Sequence, residues 1–148
     1  RRLLVAYKFR GMTGLGPLIS GIMADVAGPA PAGLAVVPVP PSRPRHRYRG
    51  FDPLELPART IAGSLPGAAF YGGALVRHGS GRQRGRGRAG RLAAPPDTRI
   101  GPRPVAPDQP VLLIDDVITT GATLAAAASA LQRGESGPVT AITFTRRL

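Results

Sequence analysis

Asp115 and Asp116 stand side by side at the end of an apolar run, in a chain with only eight acidic residues. The stretch reads VLLIDDVITTGAT, residues 111–123. Its carboxylates, hydroxyls and glycine suit a phosphorylated sugar. A carboxylate accepts hydrogen bonds from neutral hydroxyls and repels a phosphate. A short turn into a helix does the opposite: its backbone N–H groups and the helix dipole attract an anion. Gly121 permits unusual backbone angles and close approach. Thr119, Thr120 and Thr123 add hydroxyl donors without adding charge. The acids therefore suit a ribose 2′,3′-diol, or a metal ion on that diol, and the turn suits a 5-phosphate. The plainer alternative is a buried strand and a capped helix, with one aspartate as the cap.

Successive side chains of a strand point to opposite faces. Both acids can serve one ligand if the strand ends at them and the chain turns. The residues around them predict that ending: a strand over 110–115, then a helix over 123–133 with Leu124, Ala128 and Leu131 inward and Gly134 as its stop. A last strand is expected over 139–145. Upstream, residues 3–7 read as a strand or the end of a helix. Leu15, Leu18, Ile19, Ile22, Met23 and Val26 form one helical stripe, stopped by Gly28 and Pro29. Residues 34–40 read as a buried strand ended by Pro38, Pro40 and Pro41. Asp52-Pro53-Leu54-Glu55 predicts a helix start, with Leu54, Ala58, Ile61 and Leu65 inward, unless Pro57 delays it. A strand is expected within 68–77. Residues 78–110, rich in Gly, Pro and Arg, predict a flexible loop. Strands alternating with helices imply an α/β fold in one domain, 1–148, with a mostly parallel sheet flanked by helices. Such sheets bind ligands at the carboxyl ends of their strands.

The acid pair followed by TTGAT resembles the phosphoribosyl pyrophosphate (PRPP) motif of type I phosphoribosyltransferases. Two further segments narrow the resemblance. VVPVPPSRPRHRYRGFD (36–52) and AYKFRG (6–11) are similar to segments of ComF-type competence proteins. The resemblance implies the type I phosphoribosyltransferase fold and Mg²⁺-dependent transfer of a phosphoribosyl group to a nitrogen nucleophile. It places Asp115 and Asp116 on the ribose hydroxyls and Mg²⁺. It places Val117, Ile118, Thr119, Thr120, Gly121, Ala122 and Thr123 around the 5-phosphate. Pro41, Ser42 and Arg43 fall at the pyrophosphate loop, and Gln83, Arg84 and Arg91 in a mobile loop. It implies no catalytic acid or base. Asp52 stands where that family usually has Asn, Ala94 lies near the place of a later Asn, and the family's cysteine zinc ribbon is not matched. An N-terminal piece is expected to be missing, since the chain opens without Met and already in hydrophobic pattern.

Formal net charge is +12, from 20 basic and eight acidic residues. That balance predicts anionic partners: PRPP or another ribose 5-phosphate ligand, or a nucleic acid. Arg43, Arg45, Arg47 and Arg49 alternate, so in an extended segment they would share one side. Residues 81–91 read as a site-closing loop, an arginine-glycine tract for single-stranded DNA, or a disordered loop. A non-catalytic DNA-uptake role is the second functional reading, and a homodimer is a further assembly to test. With no cysteine and two isolated histidines, His46 and His78, disulfides and Cys-ligated metals are excluded and no transition-metal site is indicated. No apolar run reaches the ~20 residues of a membrane-spanning helix, and the expected location is the cytoplasm.

Overall fold

The computed structural model describes residues 3, 6, 7, 12–41, 51–77 and 97–146. After a 3₁₀ turn at Thr13–Leu15 come α1 (Gly16–Ala27), β1 (Ala35–Pro38) and α2 (Glu55–Ser64). Three short strands follow: β2 (Ala69–Phe70), β3 (Leu75–Arg77) and β4 (Thr98–Ile100). Then come β5 (Val111–Ile118), α3 (Ala122–Arg133) and β6 (Val139–Arg146). Leu3, Ala6 and Tyr7 are helical, which selects the helical alternative for the described part of 3–7.

The main sheet is parallel throughout, in the order β2-β1-β5-β6. From β1 the chain crosses through α2 to β2 on one side. From β5 it crosses through α3 to β6 on the other. Right-handed crossovers in opposite directions put α2 and α3 on opposite faces of the sheet. The packing agrees: α2 lies on β1, β2 and α1, while α3 lies on β5 and on β3–β4. The strand order therefore reverses between β1 and β5. Their inner residues, Val36, Val37, Leu113 and Ile114, are almost wholly buried, as expected of parallel strands covered on both faces.

Several expectations need correction. β5 does not stop at Asp115. Val117 and Ile118 are β-branched and pair with Thr145 and Arg146, so the ladder carries the strand through both acids. The single strand expected in 68–77 is two, because Ala74 turns back to bond Tyr71 and β3 joins a separate antiparallel pair with β4. That pair also ends the supposed loop early. Residues 97–110 are structured, with Val105 buried and Gln109 bridging the Gly33 carbonyl and the Ala106 N–H. The rest of that loop, 78–96, lies outside the described residues.

The α1 stripe is also rotated. Ile19 and Met23 are buried with Gly16 and Ser20, while Leu18, Ile22 and Val26 face outward. The small residues face inward because α1 and α2 pack closely. A Cβ on Gly16 would lie 2.8 Å from Leu56 and 3.4 Å from Tyr7. Ser20 tolerates burial by donating to the Gly16 carbonyl, 2.8 Å away.

α2 starts at Glu55 rather than directly after Asp52. Asp52 still organises the entry, since its Oδ1 accepts the Leu54 N–H at 2.9 Å. Pro57 is the third helical residue, inside the first turn, where its missing N–H costs no helical bond. The predicted inner face holds: Leu54, Ala58 and Ile61 are buried, and Leu65 packs against them.

The amino ends of β5 and β6 are pinned together. The Gly137 N–H donates to the Gln109 carbonyl, and the Asp108 N–H to the Glu135 carbonyl, both at 2.9 Å. A Cβ at Gly137 would collide with the Asp108 carbonyl. Gly137→Ala should therefore lower unfolding stability by about 1–3 kcal/mol, the usual cost of overpacking. Denaturant titration checks this, and an unchanged midpoint would contradict the crowding.

Tyr7 supplies a second test. Its ring meets Phe51 edge-on at 5.6 Å. Burial, and secondarily the charge of Asp52, raises its phenol pKa above 10.0. A raised folded pKa stabilises the fold below the unfolded value and loses that contribution as pH rises through the folded one. Tyr7→Phe should remove part of the stability loss seen above pH ~10. Melting temperatures of both proteins across the alkaline range measure it, and parallel curves would contradict it.

Candidate functional site at the carboxyl edge of the sheet

A crevice forms where strand order reverses, outside the carboxyl ends of the two strands that diverge. Here those are β1 and β5. Pro38 is in register with Ile114, and the Val39 N–H donates to the Ile114 carbonyl at 2.9 Å. Pro40 and Pro41 thus leave β1 beside Asp115 and Asp116. Chain topology alone brings the start of the predicted pyrophosphate segment to the acid pair. Ser42 and Arg43 follow directly but lie outside the described residues, as do Arg45, Arg47 and Arg49.

Because β5 continues to Ile118, the acids alternate. Asp115 is 8% exposed, and its Oδ1 accepts the Asp116 N–H at 2.7 Å. Asp116 is half-buried, on the opposite face. A carboxylate bonded to its neighbour's amide fixes that neighbour's backbone, so the two acids are not equivalent.

The chain leaves β5 at Thr119, turns, and enters α3. Gly121 holds the turn with φ of 77°, a left-handed conformation that costs a residue with a side chain roughly 1–2 kcal/mol. No side chain caps the helix in the usual way. The Ala122 N–H has a long bond of 3.4 Å to Thr120 Oγ1, and the Ala125 N–H makes the first full helical turn to the Gly121 carbonyl. The Thr123 and Leu124 N–H groups have no partner among the described residues. Thr119 and Thr120 are exposed and Thr123 half-buried. A two-donor amide nest, hydroxyls and a helix dipole converge on one exposed turn, an arrangement that accepts an anion.

The sheet adds residues that the sequence did not single out. The offset between β5 and β6 sets Thr143 beside Asp115 and Arg146 beside Ile118. Arg146 brings a cation to the same edge. Nothing in its local pattern announces this, because only strand pairing fixes the register. Gln83, Arg84, Arg91, Lys8, His46 and His78 lie outside the described residues. Among the described residues no group of three or more His, Cys, Asp or Glu could enclose a metal ion. No described helix is long and apolar enough to cross a membrane.

No family model and no curated protein matches the chain. Solved structures do. Over 87% of its length, at 17% identity and a TM-score of 0.56, the chain is similar to the allosteric regulatory enzyme of purine biosynthesis. It spans only 25% of that enzyme's chain. It is also similar to hypoxanthine phosphoribosyltransferases of Staphylococcus aureus and Trypanosoma cruzi, at 16% and 12% identity and TM-scores of 0.43 and 0.44. Those matches cover 86% of this chain and 62% and 63% of theirs. The reversal of strand order, the helices on both faces and this likeness establish an α/β fold of the type I phosphoribosyltransferase kind.

Proposed function

We propose that the chain binds PRPP, or a related ribose 5-phosphate, at the carboxyl edge between β1 and β5, and transfers its phosphoribosyl group to a nitrogen nucleophile. The observation that carries this reading is the pairing of two unlike surfaces at one switch point. Carboxylates stand at Asp115 and Asp116, and a turn beginning at Thr119, with hydroxyls and the first amides of α3, follows directly. A polyol joined to a phosphate matches both.

In this reading Asp116 accepts hydrogen bonds from the ribose diol. Asp115 acts through it, holding the Asp116 amide. Residues Val117 to Thr123 receive the 5-phosphate, with the Thr123 and Leu124 amides at the centre. Pro41, Ser42 and Arg43 meet the pyrophosphate. In the transfer the nucleophile's nitrogen lone pair bonds to ribose C1. The C1–O bond breaks and pyrophosphate leaves with its electrons. This chemistry needs positioning and charge stabilisation more than a protein base. The oxygen donors at the edge suit Mg²⁺, which binds through one or two carboxylates, substrate oxygens and water rather than an all-protein cage. When bound, Mg²⁺ offsets the charge gathering on the leaving pyrophosphate. The ComF-like segments point to that family as the source of this site.

Calorimetry with PRPP and Mg²⁺ tests the reading. Wild type should release heat on binding. Asp116→Asn should weaken binding by about tenfold or more, on the scale of one lost charged hydrogen bond. Asp115→Asn should weaken it less. No heat from wild type ends the proposal, and equal losses remove the distinction between the acids.

The charge distribution favours a second reading. All eight acids but only six basic residues (Arg59, Arg77, Arg99, Arg103, Arg133 and Arg146) lie among the described residues. The described scaffold is therefore slightly acidic, and the other fourteen basic residues lie in the remaining segments. One of these, 42–50, follows Pro41 directly in sequence. A nucleic acid reaching the site through such segments should bind with a steep salt dependence, about 0.7 log units of affinity per log unit of salt for each phosphate met. Fluorescence anisotropy with a single-stranded oligonucleotide measures the slope. A flat response, or no binding, leaves the arginines to small phosphates.

A further inference from the structure

We infer that Arg146 makes the site specific for a sugar that carries a 5-phosphate, by adding a full positive charge to the otherwise neutral turn after β5. This deepens the proposed function and rests on it. From Val117 to Gln132 the chain carries no charged side chain. The turn therefore offers a ligand only dipoles: amides, hydroxyls and the start of α3. Such donors also bond a neutral hydroxyl, so by themselves they discriminate weakly in favour of a phosphate. A phosphate monoester carries about two negative charges at neutral pH. A guanidinium meets its oxygens with two parallel N–H bonds, which a hydroxyl cannot match.

Strand pairing carries that guanidinium to the turn. Arg146 is the last residue of β6 and lies in register with Ile118, the last residue of β5. Neighbouring strands lie about 4.8 Å apart, so Arg146 stands one strand away from the residue that leads into Thr119. Register also fixes its face. Asp116 and Ile118 are two apart in β5 and share a face, and Arg146 takes the face of its partner Ile118. It thus stands with Asp116, the acid assigned to the diol, and opposite Asp115. A sugar held by Asp116 on this face has its phosphate end between the turn and Arg146. The guanidinium is also available. Arg146 is exposed, and among the described residues no carboxylate bonds it, whereas Glu55 and Asp97 engage Arg59 and Arg99.

Calorimetry with two probes, ribose 5-phosphate alone and PRPP with Mg²⁺, separates the two ends of the ligand. Both carry the 5-phosphate, and PRPP adds a pyrophosphate. Arg146→Gln should weaken both by the same factor, about tenfold or more, as loss of a charged hydrogen bond does. Arg146→Lys should recover part of that loss, since it restores the charge without the fork. Arg133→Gln removes the same charge from the last turn of α3, at the far end of that helix. It should leave both affinities within about twofold of wild type, because solvent and salt screen a distant exposed charge. Three results would overturn the inference and leave the proposed function standing: Arg146→Gln binding both probes like wild type, Arg146→Gln losing affinity for PRPP alone, or equal losses in Arg146→Gln and Arg133→Gln. Wild type that binds PRPP but not ribose 5-phosphate also overturns it. Wild type that binds neither probe removes the proposed function, and the inference falls with it.

Discussion

The pairing of β1 with β5 is the constraint on which the rest depends. These central strands diverge in connectivity, one leading through α2 and the other through α3. Both faces of the described sheet are therefore covered, and the crevice that the strand order creates lies at their carboxyl ends. The in-register contact of Pro38 with Ile114 carries that opening to the acids. Loss of this pairing would separate the proline segment from the carboxylates and remove the site without altering any of its residues.

The same pairing explains how the site departs from a simple cradle. A strand that stopped at Asp115 would let both carboxylates swing toward one ligand. A strand running to Ile118 assigns them to different faces, one reaching outward and the other tied to its neighbour's amide. Rigid placement replaces redundancy. In the proposed function a sugar diol would meet an acid whose backbone is already fixed, which lowers the ordering cost of binding.

Much of this was legible in the sequence where the signal is local. The apolar runs of β1 and β5, the spacing within α3 and the glycines at 121 and 134 each carry their own physical reason. The rest was set by distant partners. β4 is three residues long and exists because β3 pairs with it. The orientation of α1 follows from close packing against Leu56 and Tyr7, so small residues turned inward where hydrophobicity pointed to Leu18 and Ile22. The extension of β5 through the acids depended on Thr145 and Arg146, some thirty residues away. Local periodicity holds no record of such contacts, and in the site it misjudged where the turn begins.

The clasp built by Gln109 has a dynamic consequence. Its amide joins Gly33 before β1 to Ala106 before β5, and the neighbouring backbone joins β5 to the turn before β6. One rim of the sheet is thus laced shut while the opposite rim carries Asp115, Asp116 and the turn into α3. Fluctuations that spread the strands should pivot at the laced rim, widening the other like the ribs of a fan. In the proposed function a ligand would enter and leave by such small strand excursions, with the apolar interior left sealed.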